Sequence, residues 1–235
     1  MKTRNILLFI IIFLSSCATT TTVENAQKAG AHYKIGVSYF NENKIQSAFV
    51  EFQKALELNP KDKEVMNALG LVYLKFEDLQ KAQQSFIKAV TIDPDFSEAH
   101  NNLGVTYTKM GKWSEAVDSF KRALKNPLYQ TPGNAYYNLG NAYYRLGLID
   151  DAINSYKEAI KRMQDFHRPY YGLALCYNAK GQYGEAASAI TRAMELDPVY
   201  KGNKDKAMED LKERKLKAKG EEEKDIVDYI EILKY

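Results

Sequence analysis

The chain has 235 residues, of which 45% are hydrophobic and 27% are charged, and its net charge is +3. This composition suits one globular or repeat domain and argues against general disorder. The net charge falls to about +1 if Lys2 and Arg4 leave with a cleaved leader, so nothing in the charge supports binding to nucleic acid. Most of the chain offers no basic membrane-binding patch either.

Residues 1–16 have the layout of a secretory signal peptide. Lys2 and Arg4 precede an apolar run from Ile6 to Leu14, and small residues follow the run. An apolar run this short does not span a bilayer. We therefore expect residues 1–16 to be removed during export.

A cysteine stands directly after this leader. The segment Leu14-Ser15-Ser16-Cys17 resembles the lipobox of bacterial lipoproteins, and the resemblance implies cleavage before Cys17 and lipidation of that residue. Several acyl chains give a stable membrane anchor, whereas one does not. The residue after the cysteine is Ala18 and not an aspartate. By the same resemblance, this implies delivery to the periplasmic face of the outer membrane of a Gram-negative cell. The alternative is an ordinary signal peptide with an incidental cysteine.

The residues after Cys17 are polar and include four consecutive threonines, 19–22. We predict that the range 17–28 contains the lipidated cysteine and a polar tether to the first helix. Such a tether keeps the folded part of the chain off the membrane surface.

A 34-residue repeat fills the middle of the chain. Its five units are 29–62, 63–96, 97–132, 133–166 and 167–200. The second unit shows the shared pattern, with Met66, Leu69, Gly70, Tyr73, Ala82, Phe86, Ala89 and Pro94. This period and pattern are similar to those of the tetratricopeptide-repeat (TPR) family of helical hairpins.

The spacing of the repeat has a physical meaning in such hairpins. Apolar residues three and four apart predict amphipathic helices, and the recurring small residues let the two helices of a hairpin approach closely. One hairpin cannot bury its own apolar face, so neighbouring units must stack into a superhelix with a concave surface. The resemblance therefore implies an all-α fold, a right-handed superhelical TPR solenoid with C-terminal capping helices.

The concave face of TPR arrays is lined mainly by positions of the first helix of each unit. Positions five, nine and twelve here form an apolar and aromatic groove with interspersed asparagines, in which aromatic rings can bury side chains of an extended peptide and asparagines can bond its backbone. These predicted partner-binding residues are Tyr33, Val37, Phe40, Asn67, Leu71, Leu74, Asn101, Val105, Thr108, Tyr137, Asn141, Tyr144, Tyr171, Leu175 and Asn178.

Some TPR domains hold a peptide carboxylate with Lys and Arg at set groove positions, but tyrosine and asparagine occupy the fifth positions here. Basic residues do occur at three of the thirteenth positions, at Lys75, Lys109 and Arg145. They form either a basic rim of the groove or the solvated ends of helices, and the sequence does not decide between the two.

Nothing in the sequence supports catalysis, a metal or a cofactor. His32, His100 and His167 belong to different repeats, and the motifs of zinc proteases, serine hydrolases and nucleotide-binding loops are missing from the sequence. Cys176 lies at a packed helix position where other units carry small residues, so we predict a buried thiol. We therefore predict a binding protein rather than an enzyme.

The last segment, 201–235, departs from the repeat. Its first part, to Lys219, is charged and lysine-rich, as in a solvating cap helix. Its last part carries Ile226, Tyr229, Ile230 and Leu233 at helical spacing. This pattern favours a helix docked on the repeats over a free partner site, and a docked helix would cover part of the groove.

Two extra residues interrupt the repeat between the third and fourth units, in the segment Leu124-Lys125-Asn126-Pro127-Leu128-Tyr129-Gln130-Thr131-Pro132. Such a segment within a TPR array, on a chain with a lipobox, resembles the type IV pilus biogenesis lipoproteins that act as secretin pilotins. The alternative is a lengthened proline-rich turn without a partner role. Members of that family typically have six repeats, whereas five are found here.

This resemblance implies an outer-membrane lipoprotein that binds a secretin subunit and promotes its localisation or assembly. The alternative function is a general envelope scaffold for peptidoglycan or outer-membrane assembly factors. In both cases the partner is a protein, the membrane is reached through the lipid, and no nucleic acid is involved. A cytoplasmic co-chaperone is disfavoured by the leader. The sequence does not give the oligomeric state.

Overall fold

The computed structural model describes residues 24–235, so the predicted leader and the lipidation site Cys17 lie outside the described residues. The described part of the chain contains twelve helices and no strand. In chain order the helices are α1 (24–41), α2 (Ile45–Leu58), α3 (Lys63–Lys75), α4 (Leu79–Ile92), α5 (Ser97–Lys109), α6 (Trp113–Ala123), α7 (Pro132–Arg145), α8 (Ile149–Arg162), α9 (His167–Ala179), α10 (Tyr183–Leu196), α11 (Lys204–Lys215) and α12 (Glu221–Ile232).

Each of the five sequence repeats is a pair of helices joined by a tight turn. The fifteenth residue of every repeat adopts a positive φ, and these residues are Asn43 (58°), Glu77 (60°), Gly111 (72°), Gly147 (74°) and Gly181 (71°). Glycine takes this left-handed conformation without steric cost, whereas other L-residues are strained there. The turn that reverses the chain within each hairpin therefore explains the glycine in three of the five repeats.

Local sequence also sets several helix starts. Asp62 caps α3 by accepting a hydrogen bond from the backbone N–H of Val65 at 3.0 Å. Asp78 caps α4 in the same way, with the backbone N–H of Lys81 as the donor at 3.0 Å. Pro132 stands at the first position of α7, where its missing N–H costs nothing.

The chain divides into two compact units, and the described part of the first is 24–102. Its core is built around phenylalanines that pack on glycines of the preceding helix. A Cβ atom placed on Gly36 would lie 2.6 Å from the ring of Phe52, and one placed on Gly70 would lie 2.5 Å from the ring of Phe86. Both rings are fully buried, so glycine is required for this close approach.

The second unit, 103–235, repeats this packing and adds the C-terminal helices. Phe120 packs on Gly104, and Tyr156 takes the equivalent place against Gly140. The core cluster continues through α9 and α10 to Ile226 and Ile232 of α12, which are each 1% exposed. The C-terminal segment is thus part of the core of this unit.

The predicted tether is shorter than the sequence suggests, because residues 24–28 already belong to α1. Glu24 and Lys28 form an ion pair of 2.7 Å at the i, i+4 spacing that supports a helix. The expectation of a tether up to Lys28 is therefore wrong for these five residues. No helix within 24–235 is long and apolar enough to cross a membrane.

Candidate protein-binding groove

In the first unit, the predicted groove residues lie along the exposed side of the first helices α1 and α3. Tyr33, Val37, Phe40, Leu71 and Leu74 are each partly exposed. Tyr33 leans on Phe52, with the ring centroids 5.8 Å apart, and burial raises the pKa of its phenol. Tyr33 therefore contacts the core through Phe52, and all five side chains remain partly open to solvent.

One groove asparagine of the first unit, Asn67, is held by another side chain. Oδ1 of Asn67 accepts a hydrogen bond from Nδ2 of Asn102 at 3.0 Å. Asn101, one position earlier in α5, is partly exposed. The Asn67–Asn102 bond engages the amide oxygen of Asn67, so its two N–H groups are the part of this amide that can donate to a peptide carbonyl.

In the second unit, six of the predicted groove residues surround a single cavity of about 700 Å³. They are Thr108, Tyr137, Asn141, Tyr144, Tyr171 and Leu175. Five of the six are partly exposed, and Leu175 is only 5% exposed. The two remaining predicted groove residues of this unit, Val105 and Asn178, are partly exposed but do not line the cavity.

The opposite wall of this cavity comes from the C-terminal helices. Tyr229 of α12 packs edge-on against Tyr171, with ring centroids 5.6 Å apart. Leu233 and, from α11, Leu211 also line the cavity. Burial raises the pKa of both Tyr171 and Tyr229, so the two phenols stay neutral in the physiological pH range. Helix α12 therefore covers the groove of the fourth and fifth repeats.

An ion pair joins α12 to the rim of the groove. Nη1 of Arg145 donates hydrogen bonds to Oδ1 of Asp225 at 3.0 Å and to Oε2 of Glu221 at 3.1 Å, and Nη2 contacts the second carboxylate oxygen of Asp225. The side chains of Arg145 and Asp225 are only 20% and 15% exposed. Arg145 is therefore neither a free basic rim nor a solvated helix end, whereas Lys75 and Lys109 are exposed.

Four models of the tetratricopeptide repeat match residues 29–62, 51–84, 97–126 and 137–200. The chain is a tetratricopeptide-repeat protein. The prediction of an all-α TPR fold is thereby confirmed. A comparison with curated protein sequences gives no match.

Several solved structures resemble this TPR protein. PilW, a widely conserved type IV pilus biogenesis factor, is 23% identical, with a TM-score of 0.70 over 86% of this chain and 90% of PilW. PilF of Pseudomonas aeruginosa is 17% identical, with a TM-score of 0.71 over 88% of this chain and 90% of PilF. MamA is 28% identical, with a TM-score of 0.63 over 72% of this chain and 92% of MamA. The likeness to PilW and PilF is one of fold.

Asn141, like Asn67, is a groove asparagine that is hydrogen-bonded within the protein. Oδ1 of Asn141 accepts a hydrogen bond from the buried hydroxyl of Tyr156 at 2.8 Å. Burial raises the pKa of Tyr156 well above its ordinary value, so this hydroxyl always carries the donated proton. The bond links the groove surface to the core of the fourth repeat.

The interruption between the third and fourth repeats is a closed turn. The side-chain Oδ1 of Asn126 accepts a hydrogen bond from the backbone N–H of Leu128 at 2.9 Å. The backbone carbonyl of Asn126 accepts one from the backbone N–H of Tyr129 at 3.2 Å. Tyr129 is buried against Ala123 and Ala135, while Leu128 at the tip is 77% exposed. The turn is thus held by the local core, whether or not it also touches a partner.

The three histidines of the TPR array have separate surroundings. His32 lies 2.6 Å from Glu51, His100 lies 2.8 Å from the carbonyl of Pro94, and His167 lies 3.8 Å from Asp197. Among residues 24–235, no three His, Cys, Asp or Glu side chains form a group that could hold a metal ion. Cys176 is fully buried as predicted, and burial raises the pKa of its thiol to about 12.

Sequence reasoning missed several residues of the cavity. Trp113 begins α6, outside the first helices in which groove residues were sought. Arg168 stands at the second position of the fifth repeat, which belongs to the concave face, so reading that position would have found it. Asp225 could not be found from the repeat, because it belongs to the segment after the last repeat.

Proposed function

We propose that this protein is an outer-membrane TPR lipoprotein that binds a secretin subunit and promotes the localisation or assembly of the type IV pilus secretin. The observation that carries the binding step is the row of partly exposed apolar side chains on α1 and α3, represented by Phe40 and Leu74. A row of this kind on the first helices of a TPR array is suited to an apolar segment of another protein.

The choice of partner is supported by three further features. The segment from Asn126 to Pro132 interrupts the array where the pilotin family has a similar sequence, and Cys17 follows a lipobox-like sequence. PilW, a type IV pilus biogenesis factor, has a similar fold over 86% of this chain. These features favour a secretin subunit over other envelope proteins.

The first two repeats are the better place for this contact. The ninth residue of the repeat is partly exposed at Val37 and Leu71 but buried at Leu175, where α12 lies on the groove. An apolar side chain that is already buried gains little from a partner, since the binding free energy follows the apolar area removed from water. The groove of α1 and α3 therefore offers more to a partner than the groove beside α12.

The test is the double substitution Phe40→Asp and Leu74→Asp. We expect it to abolish secretin multimers and surface pili, because two carboxylates in an apolar interface must be desolvated without partners. The control is Ile87→Asp, which puts one such carboxylate on the 39%-exposed Ile87 of α4, away from the groove positions. Unchanged multimers and pili in the groove variant, at equal protein level and helical content, would refute the proposal.

Crosslinking from Phe40 in intact cells distinguishes the partners. Capture of the secretin subunit supports the proposal, whereas capture of murein hydrolases in its place favours the scaffold function. The lipid anchor is tested separately with Cys17→Ser, which we expect to release the protein from the outer membrane fraction. Retention of this variant in that fraction would contradict the anchoring role of Cys17.

A further inference from the structure

Helix α12 lies on the groove face that the sequence assigns to a partner. Its Tyr229 contacts Tyr171, a predicted groove residue, and its Ile226, Ile232 and Leu233 are at most 3% exposed. The helix is thus an amphipathic segment seated by its apolar side in a groove of the TPR array. This is the helix-in-groove mode of peptide recognition, made here within one chain.

Helix α12 is complementary to the groove in charge at its start and in apolar character further along. Its first turn is acidic, with Glu221, Glu222 and Glu223, and Asp225 follows one turn later. Arg145 at the rim bonds to Glu221 and Asp225, and the aromatic and aliphatic side chains follow towards the C-terminus. A bidentate Arg–carboxylate contact fixes orientation as well as adding energy. The ion pair therefore sets which end of a bound helix meets Arg145.

The packing of α12 is incomplete. The cavity of about 700 Å³ between α12, α11 and the repeats is partly open to solvent, so α12 does not fill the groove. Apolar atoms that face a cavity make fewer contacts than those in a filled core, so the hold on α12 is weaker than its buried residues alone imply. A segment that fills this space can bind more tightly than α12 does.

The connection of α12 to the rest of the chain allows it to leave. The link from α11 runs from Leu216, which is 87% exposed, to Gly220, which has a φ of +61°. Helix α12 comes after the last repeat helix, α10, so its departure does not break the hairpin of any repeat.

We propose that α12 is an intramolecular competitor for the groove of the fourth and fifth repeats, and that the partner segment bound there is an amphipathic helix with an acidic first turn, which displaces α12. This goes beyond the proposed function, which places its partner on α1 and α3, and it shares with that function only that a protein segment binds the TPR array. The linker gives α12 an effective concentration of the order of millimolar, so a separate helix with the same contacts binds weakly until α12 is loosened. Only a partner helix that binds the groove more tightly than α12 can therefore displace it.

The experiment measures exchange of α12 against a copy of itself. The probe is a synthetic peptide of residues 220–235, added to the full mature chain. Trp113 is the only tryptophan of the chain and lines the cavity, so its fluorescence reports occupation of the groove. Anisotropy of a dye on the peptide gives the dissociation constant independently.

Three variants make the test specific. Asp225→Arg places a cation against Arg145 and loosens α12, and we expect it to bind the peptide at least about tenfold more tightly than the wild type. Adding Arg145→Glu restores an ion pair within the chain and should return peptide binding to the wild-type level or below. The control Glu231→Arg makes the same charge change at a residue whose only ion pair within residues 24–235 is with Lys234 of the same segment, and should leave binding within about twofold.

Equal binding by Asp225→Arg and wild type would overturn the proposal, as would equal gains in Asp225→Arg and Glu231→Arg. Loss of the repeats' helical circular dichroism in Asp225→Arg, with recovery in the double variant, would also overturn it, since α12 would then be an obligatory part of the fold. None of these readouts depends on a secretin. The two proposals can therefore fail separately: peptide exchange can be observed even if the Phe40 and Leu74 variant still forms pili, and pili can be lost in that variant even if no exchange is observed.

Discussion

Replacing Gly172 by alanine is expected to destabilise the second unit, although alanine is the better helix former. The ring of Tyr156 is fully buried between two glycines of successive first helices. A Cβ atom on Gly172 would lie 2.6 Å from Cε2 of the ring and closer still to Cζ, and one on Gly140 would lie 2.6 Å from Cε1. The ring cannot retreat from one glycine without approaching the other.

The size of the effect follows from two opposed terms. Alanine gains about 1 kcal/mol over glycine inside a helix. Overpacking a tight core costs about 1–3 kcal/mol, and the clamped ring places this site at the upper end. We therefore expect Gly172→Ala to lower the free energy of unfolding by about 2 kcal/mol. With a urea dependence of about 2 kcal/mol per molar, the unfolding midpoint moves down by about 1 M.

The matched control is Gly184→Ala in the second helix of the same repeat. A Cβ atom on Gly184 would meet nothing within 4 Å, so only the helix term remains. We expect this variant to be more stable by up to about 1 kcal/mol. The assay is urea unfolding followed by circular dichroism. A midpoint for Gly172→Ala at or above the wild-type value would refute the packing argument, because the propensity term alone would then account for both variants.

Three further predictions concern the turns and the buried thiol. Glu77→Gly should stabilise the protein by about 0.5–1 kcal/mol in urea unfolding, since Glu77 has a φ of 60° and equivalent residues are glycine, and a destabilised variant would contradict this. Tyr129→Ala should cost about 3 kcal/mol in the same assay and Leu128→Ser less than about 0.5, because Tyr129 is buried and Leu128 is exposed; similar costs would refute this account of the turn. In a Cys17→Ser background, Cys176 should resist a thiol reagent at pH 8 until the protein is unfolded. Its folded-state pKa is raised to about 12, so its contribution to stability is complete below about pH 9 and is lost as the pH rises to about 12. Rapid labelling of the native protein would contradict the buried assignment.

The repeat makes most of the fold predictable from the sequence. Gly36, Gly70 and Gly104 recur at one offset because each meets a phenylalanine sixteen residues later, so a local rule of sequence repeats a single packing contact. Predictions that depended on this rule, such as the helical hairpins and the buried Cys176, agree with the structure.

The boundary of the first helix was not predictable in the same way. Residues 24–28 precede the repeat, so the repeat pattern says nothing about them, and polar composition alone suggested a tether. The Glu24–Lys28 pair is a local helix signal that outweighs the composition. Short-range charge spacing is therefore a better guide to the start of this helix than polarity.

The repeat offsets predict equivalent positions on the first helices, but not how exposed each position is. Repeat offsets place Leu71 and Leu175 on equivalent sites, yet Leu71 is partly exposed and Leu175 is buried. Helix α12 packs on α9, the helix of Leu175, and this contact depends on residues far apart in the sequence, such as Arg145 and Asp225. The apolar spacing of residues 226–233 favoured a docked helix, but no local pattern specified where it docks.

This difference decides how substitutions in the groove are to be interpreted. In the proposed function, a change at Phe40 or Leu74 acts directly on partner binding, because both side chains are partly exposed. A change at Tyr171 alters the seat of α12 as well as the surface offered to a partner, and the two effects have opposite signs when loosening α12 exposes the groove. A neutral result at Tyr171 is therefore compatible with strong binding there, whereas a neutral result at Phe40 is not.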